Sequence, residues 1–213
     1  DPRLDVVREL TGAPRAVPTH IQFVDIAGLV RGASKGEGLG NRFLAQIREV
    51  DAIAHVLRCF RDSDVTHVMG DLDPGRDLEI VETELALADM DTLERRKEKV
   101  EKKARSGDAD SQQEMAVLVP LLETLHRGDS LRSARLLEEE QRLLSELELL
   151  TVKPVLYVAN VGEDADLDGT DPLGGILPEM SGSADGWSLV EISAGVEAEL
   201  ALLDPTDREE FLA

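Results

Sequence analysis

Apolar residues fall along this chain in two regimes. Four short runs, Ile21–Ile26, Ala52–Phe60, Pro154–Val161 and Trp187–Ile192, are nearly continuous and lack clean alternation. Strands covered on both faces of a parallel sheet read this way. Other stretches carry helical spacing. Gly40–Val50 places Phe43, Leu44 and Ile47 on one face, and Gly195–Leu203 predicts a second helix. Pro205–Phe211 predicts a third, with Asp204 as its cap and Pro205 in its first turn. Strands alternating with helices imply an α/β domain with a mostly parallel sheet.

The second and third runs are separated by something different. Residues 77–150 hold no strand signal. Leu78, Val81 and Leu85 have helical spacing, as do Met115, Leu118, Leu122 and Leu125, and again Leu136, Leu143, Leu147 and Leu150. Ser106-Gly107-Asp108 and Arg127-Gly128-Asp129-Ser130 break the pattern. This predicts an inserted helical hairpin or coiled-coil arm. Its leucines need cover, either from one another or from a partner. The expected organisation is therefore 1–76 as the first part of the α/β domain, 77–150 as the helical insert and 151–213 as the second part. Thr170–Gly186, rich in Gly, Ser, Asp and Pro, predicts a loop.

Charge changes the picture in one place. The 213 residues carry a net charge of −21, which argues against bulk affinity for a polyphosphate backbone. Yet Arg95, Arg96, Lys97, Lys99, Lys102, Lys103 and Arg105 lie within eleven residues, opposed only by Glu98 and Glu101. Two readings stand: a solvated helix face with Glu98–Lys102 and Glu101–Arg105 pairs, or an RNA-contacting tip on an acidic body. No apolar run is long enough to span a membrane and no signal-peptide pattern occurs, so the expected compartment is cytoplasmic. The single Cys59 excludes an internal disulfide and predicts a small buried apolar residue.

The chemistry concentrates in three places, each at the end of a predicted strand. The first is Asp25-Ile26-Ala27-Gly28-Leu29-Val30-Arg31-Gly32-Ala33-Ser34-Lys35-Gly36-Glu37-Gly38-Leu39-Gly40-Asn41. Asp-x-x-Gly after a strand suits a nucleoside-triphosphate switch. The Asp25 carboxylate reaches a phosphate-bound Mg²⁺, and the Gly28 amide approaches the terminal phosphate without a side chain in the way. Ras-like GTPases place a water-orienting Gln after this motif; here the position is Leu29, which cannot hydrogen-bond water.

The second is Asn160-Val161-Gly162-Glu163. GTPases carry N-K-x-D here, with the Asp carboxylate accepting from the guanine N1–H and amino group. In this chain Asn160 is kept, Val161 replaces Lys and Glu163 replaces Asp. Glu is one methylene longer, so its carboxylate cannot take the same place on the same backbone. Losing that charge-assisted pair removes on the order of 2–3 kcal/mol of guanine discrimination. The third is Ser193-Ala194, matching an element that lines the base through backbone groups. Ligands of open α/β sheets bind at the carboxyl ends of strands.

Taken in this order, the motifs resemble those of the YchF-type Obg-like ATPases, and the resemblance extends over Asp1–Asp5, Ile21–Asn41, Asp51–Pro74, the helical arm, Lys153–Glu163 and Glu191–Phe211. It implies a partial Ras-like P-loop NTPase domain with an inserted helical coiled-coil arm. It implies ATP preferred over GTP, Mg²⁺ held by Asp25 through water, slow hydrolysis and association with the ribosome or its large subunit. Nucleotide contacts would come from Asp25, Gly28, Asn160, Val161, Glu163, Ser193 and Ala194. The segment Cys59–Val68 resembles one that supplies a catalytic histidine, which makes His67 the candidate; a structural loop histidine is the other reading. His55, in mid-strand, reads as a core residue, and His20 and His126 suggest no metal site. No G-x-x-x-x-G-K-[ST] occurs in the sequence. The resemblance therefore implies an internal piece of a longer protein, lacking the P-loop, the first switch and a C-terminal TGS domain, and inactive alone. An alternative of another class is a non-enzymatic interaction module acting through the arm.

Overall fold

The computed structural model describes residues 3–26, 39–62, 72–133, 144, 146–163 and 188–212. Among the described residues three parallel strands form a sheet in the order β1 (Ile53–Cys59), β2 (Val155–Val161), β3 (Ser188–Ile192). The register pairs Ile53 with Val155, Cys59 with Val161, and Asn160 with Ile192. All three strands thus end at one edge. Among the described residues the α-helices are α1 (Arg3–Thr11), α2 (Leu39–Arg48), α3 (Pro74–Arg105), α4 (Ala109–His126), α5 (Ala194–Leu200) and α6 (Pro205–Phe211).

The helix α3 is the organising element. Asp73 caps it by accepting from the Arg76 N–H at 3.0 Å, and Pro74 sits in its first turn, where a missing N–H costs nothing. At 32 residues it is about 48 Å long. No single partner covers such a length, and it changes partner along its course. Leu78 packs with Leu57, Val155, Tyr157 and Ala159 of the sheet. Leu85 and Ala88 pack with Leu44 and Ile47 of α2 and with Leu150. Leu93 and Val100 pack with Leu118, Leu121, Leu122 and Leu125 of α4. The turn at Ser106–Asp108 uses Gly107 at φ +95°, and Asp108 caps α4 by accepting from Ser111 N–H. The arm is thus an antiparallel pair whose leucines cover one another.

A polar knot fixes the root of the arm. Arg132 donates to Glu82 Oε2 at 2.7 Å and to the Lys153 carbonyl at 3.0 Å. The Tyr157 hydroxyl donates to Glu82 Oε1 at 3.1 Å. Burial, then the Glu82 charge, pushes the Tyr157 phenol well above its ordinary range. The His55 ring lies 5.9 Å from that of Tyr157, and burial lowers its pKa.

Four sequence expectations change. Ile21–Ile26 does not form a strand; Ile21, Phe23 and Val24 are 76%, 79% and 51% exposed. Apolar character marks a preference for burial, whereas a strand also needs a ladder partner, and no described residue supplies one. Only Ile26 is tucked in, against the α2–α3 cluster. Second, β1 is not covered on both faces: Ala54 and Val56 are exposed because α3 covers only the other side. Third, Leu147 and Leu150 lie in a turn and a bend, not a helix, and Leu150 is fully buried against α2 and α3. Fourth, α1 was not anticipated; none of its residues is buried, so the apolar pattern carried little signal. Cys59 is half-buried within β1. Leu136, Leu143, Trp187 and the Thr170–Gly186 stretch lie outside the described residues.

Candidate nucleotide-binding edge

The carboxyl ends of β2 and β3 meet through side chains the sequence had singled out. The Ala194 N–H donates to Asn160 Oδ1 at 3.0 Å, joining the end of β2 to the first residue of α5. Glu163 Oε1 approaches the same helix start: a Cβ added at Gly195 would lie 3.7 Å from it. Ser193 stands at the cap position of α5 without a side-chain capping bond. Asn160, Glu163, Ser193 and Ala194 therefore occupy one edge. Val161 is the last residue of β2 and half-buried, packed with the Leu57–Tyr157 cluster. At that place a lysine would have to leave an apolar neighbourhood to reach a ligand.

Two residues at this edge escaped the sequence reading. Arg58 donates through Nε to the Phe60 carbonyl at 3.1 Å and through a terminal nitrogen to the Asp62 carbonyl at 3.1 Å. Its guanidinium carbon stands 4.8 Å from the centre of the Phe60 ring. A Cβ at Gly162 would lie 3.6 Å from the Phe60 Cβ, which places the turn after β1 beside the turn after β2. The rule that open α/β sheets bind at their carboxyl edge was the available signal for Phe60.

Asp25 is exposed, beside the partly buried Ile26. It makes no hydrogen bond or ion pair to the Asn160 edge. Gly28, Leu29 and His67 lie outside the described residues. No group of three or more His, Cys, Asp or Glu side chains assembles among the described residues. A lone exposed carboxylate nonetheless fits Mg²⁺, which takes one or two protein carboxylates and completes its octahedron with water and phosphate oxygens. Asp25 would be the residue to hold it, and the ion would supply charge neutralisation at the phosphates.

Of the basic run, Arg95 pairs with Asp91, Arg96 with Glu114 and Arg105 with Glu101. Lys99, Lys102 and Lys103 are exposed. Arg96, Lys99 and Lys103 line an open cleft of about 560 Å³ together with Asp108, Asp110, Ser111 and Glu114.

The fold has known counterparts. A family model described as a 50S ribosome-binding GTPase matches residues 9–84. The whole chain aligns at 47% identity over 212 residues with the ribosome-binding ATPase YchF of Escherichia coli O157:H7. Along its whole length the chain is thus similar to YchF proteins. The Bacillus subtilis YchF is 44% identical over 214 residues, again along the whole chain. The solved structure of the Schizosaccharomyces pombe YchF GTPase superposes with a TM-score of 0.78 at 32% identity, covering 99% of this chain and 57% of that one. The chain spans 58% of the length of these two bacterial YchF proteins. The fold is that of a P-loop GTPase domain with a parallel sheet and a helical arm. No described helix is long and apolar enough to cross a membrane.

Proposed function

We propose that the protein containing this chain is a nucleotide switch that binds ATP with Mg²⁺, hydrolyses it slowly and thereby changes its affinity for the ribosome. GTP is the less favoured nucleotide, and the compartment is the cytoplasm. The observation that carries this reading is the Asn160–Ala194 bond with Glu163 beside Gly195, at the carboxyl edge of a parallel sheet. That edge supplies base recognition through Asn160, Val161, Glu163 and the Ser193–Ala194 backbone. Asp25 and Gly28 serve the phosphate and Mg²⁺ end. His67 takes over the water-handling that Leu29 cannot perform. The exposed lysines of the arm, Lys99, Lys102 and Lys103, together with Arg95, Arg96, Lys97 and Arg105, offer an RNA contact on an otherwise acidic body. The 213-residue stretch holds no phosphate-cradling G-x-x-x-x-G-K-[ST], so as an isolated polypeptide it binds ATP weakly and is inactive.

Calorimetric titration of the full-length protein with ATP and with GTP, each with Mg²⁺, tests the reading. Saturable ATP binding, tighter than GTP, supports it. No saturable ATP binding would leave an interaction module working through the arm.

A further inference from the structure

The turn that carries Asn160 and Glu163 has a neighbour on each side, because β2 lies between β1 and β3. On the β3 side it is held by the Asn160–Ala194 bond. On the β1 side stands Arg58, the penultimate residue of β1 and the register partner of Asn160. Leu57 and Cys59 pack with Leu78 of α3, so the alternation of a strand sends the Arg58 side chain to the opposite face. There the guanidinium turns forward over the end of its own strand. Its Nε–H donates to the Phe60 carbonyl and a terminal nitrogen to the Asp62 carbonyl, each at 3.1 Å, while its carbon lies 4.8 Å from the centre of the Phe60 ring. Strand carbonyls lose their ladder partners where a sheet ends, and a rigid, charged fork replaces two of them at once. The clamped turn then meets β2: a Cβ added at Gly162 would lie 3.6 Å from the Phe60 Cβ, which is van der Waals contact.

We propose that Arg58 is a positioning residue for base recognition: by clamping Phe60–Asp62 against Gly162, it holds the Asn160–Glu163 turn at the spacing that favours adenine over guanine. The role assigned to Arg58 rests on the nucleotide-switch reading. A turn tied on one side only is free to shift away from the tie, and a misplacement of about 1 Å is enough to spoil a directional contact. The Asn160–Ala194 bond limits movement away from β3, and the Arg58 clamp limits movement toward β1. Arg58 acts through the turn and is assigned no contact with the base. Its bonds lie within one short stretch of chain, on the face of β1 away from the Leu57–Tyr157 cluster, so they place the turn rather than build the core.

The test measures ATP and GTP affinity, each with Mg²⁺, by calorimetry on full-length wild type, Arg58→Lys and Arg58→Met. Arg58→Met is expected to weaken ATP binding by about fivefold or more and GTP binding by less than about twofold, since the two nucleotides share phosphate and ribose contacts and differ at the base. Arg58→Lys keeps a cation over the ring but not the two-carbonyl fork, and recovers part of the preference for ATP. A merely structural role would weaken both nucleotides by the same factor, or neither, and either result overturns the proposal. A second readout uses wild type alone and is independent of whether a variant folds. Saturation with ATP and Mg²⁺ is expected to shift the NMR resonances of the Arg58 Nε–H and the Gly162 N–H. Saturation that leaves both unmoved overturns the proposal as well. Failure of wild type to bind ATP at all would instead bring down the nucleotide-switch reading, and the role of Arg58 with it.

Discussion

Asn160 Oδ1 accepts the backbone N–H of Ala194 at 3.0 Å, so a side chain at the end of β2 holds the first residue of α5 in place. The bond spans 34 residues of sequence and fixes the distance between two loops that flank a base in the proposed site. Replacing Asn160 with Ala removes it and leaves the Ala194 N–H to solvent. The expected cost is about 1 kcal/mol of stability. In the full-length protein a loss of ATP affinity of about tenfold or more is expected. Asn160→Asp retains an acceptor and recovers most of the stability. Chemical denaturation and calorimetry on the two variants separate these effects; an alanine variant with wild-type ATP affinity would remove Asn160 from the site.

Base choice is assigned to the same turn. Restoring N-K-x-D by Val161→Lys with Glu163→Asp shortens the carboxylate and supplies the lysine. The double variant of the full-length protein is expected to shift the ratio of GTP to ATP affinity toward GTP by about tenfold or more, matching on the order of 2–3 kcal/mol for a charge-assisted pair. Val161 packs in an apolar cluster, so some stability is lost as well. An unchanged affinity ratio would show that base choice is made elsewhere.

Much of this site was legible in the sequence because the deciding features are local. Asn160, Glu163, Ser193 and Ala194 each follow directly from a strand, and a parallel sheet brings strand ends to one edge without further information. The arm was legible for the same reason: Leu118, Leu122 and Leu125 repeat at helical spacing, and Gly107 and Gly128 mark its breaks. What failed needed long-range knowledge. Ile21–Ile26 has a strand's composition but lacks a described ladder partner. Leu147 and Leu150 continue a helical spacing, yet Asp89, about sixty residues away, takes the Leu150 and Thr151 amides and fixes a turn instead. Phe60 looked like an ordinary strand-end residue until the sheet set it beside Gly162, with Arg58 over its ring.

That turn contains a second unusual residue. Glu148 has φ +48°, a left-handed conformation that costs an L-residue roughly 1–2 kcal/mol. Its carbonyl is the acceptor for Arg48, which helps hold it there. Glycine adopts this φ without the clash but loses more freedom on folding, about 0.5–1 kcal/mol. Glu148→Gly is therefore expected to raise stability by up to about 1 kcal/mol, leaving the backbone bond to Arg48 intact. A denaturation midpoint clearly below wild type would mean that the Glu148 side chain contributes more than its backbone costs.

Asp89 gives a pH signature to the same turn. Burial raises its pKa above the ordinary value of 3.8, against the opposing pull of the Leu150 and Thr151 donors and of Arg48. A carboxyl whose folded pKa is raised holds its proton more tightly in the folded state than in the unfolded chain. Its contribution to stability is therefore complete below 3.8 and is lost as pH rises through the folded value. Asp89→Asn replaces an acceptor-only group with one that points an NH₂ at backbone donors. About 2–3 kcal/mol of stability should be lost near neutral pH, as buried donors go unpaired. The variant should also lack the decline between 3.8 and the raised value that Asp89 imposes on wild type. Denaturant unfolding of both proteins at a series of pH values from 4 to 7 measures this difference directly. The gap between them should narrow as pH rises through that window, because only wild type carries the titrating group. A gap that instead widens with pH would mean that the three donors outweigh burial and that Asp89 is held below its ordinary value.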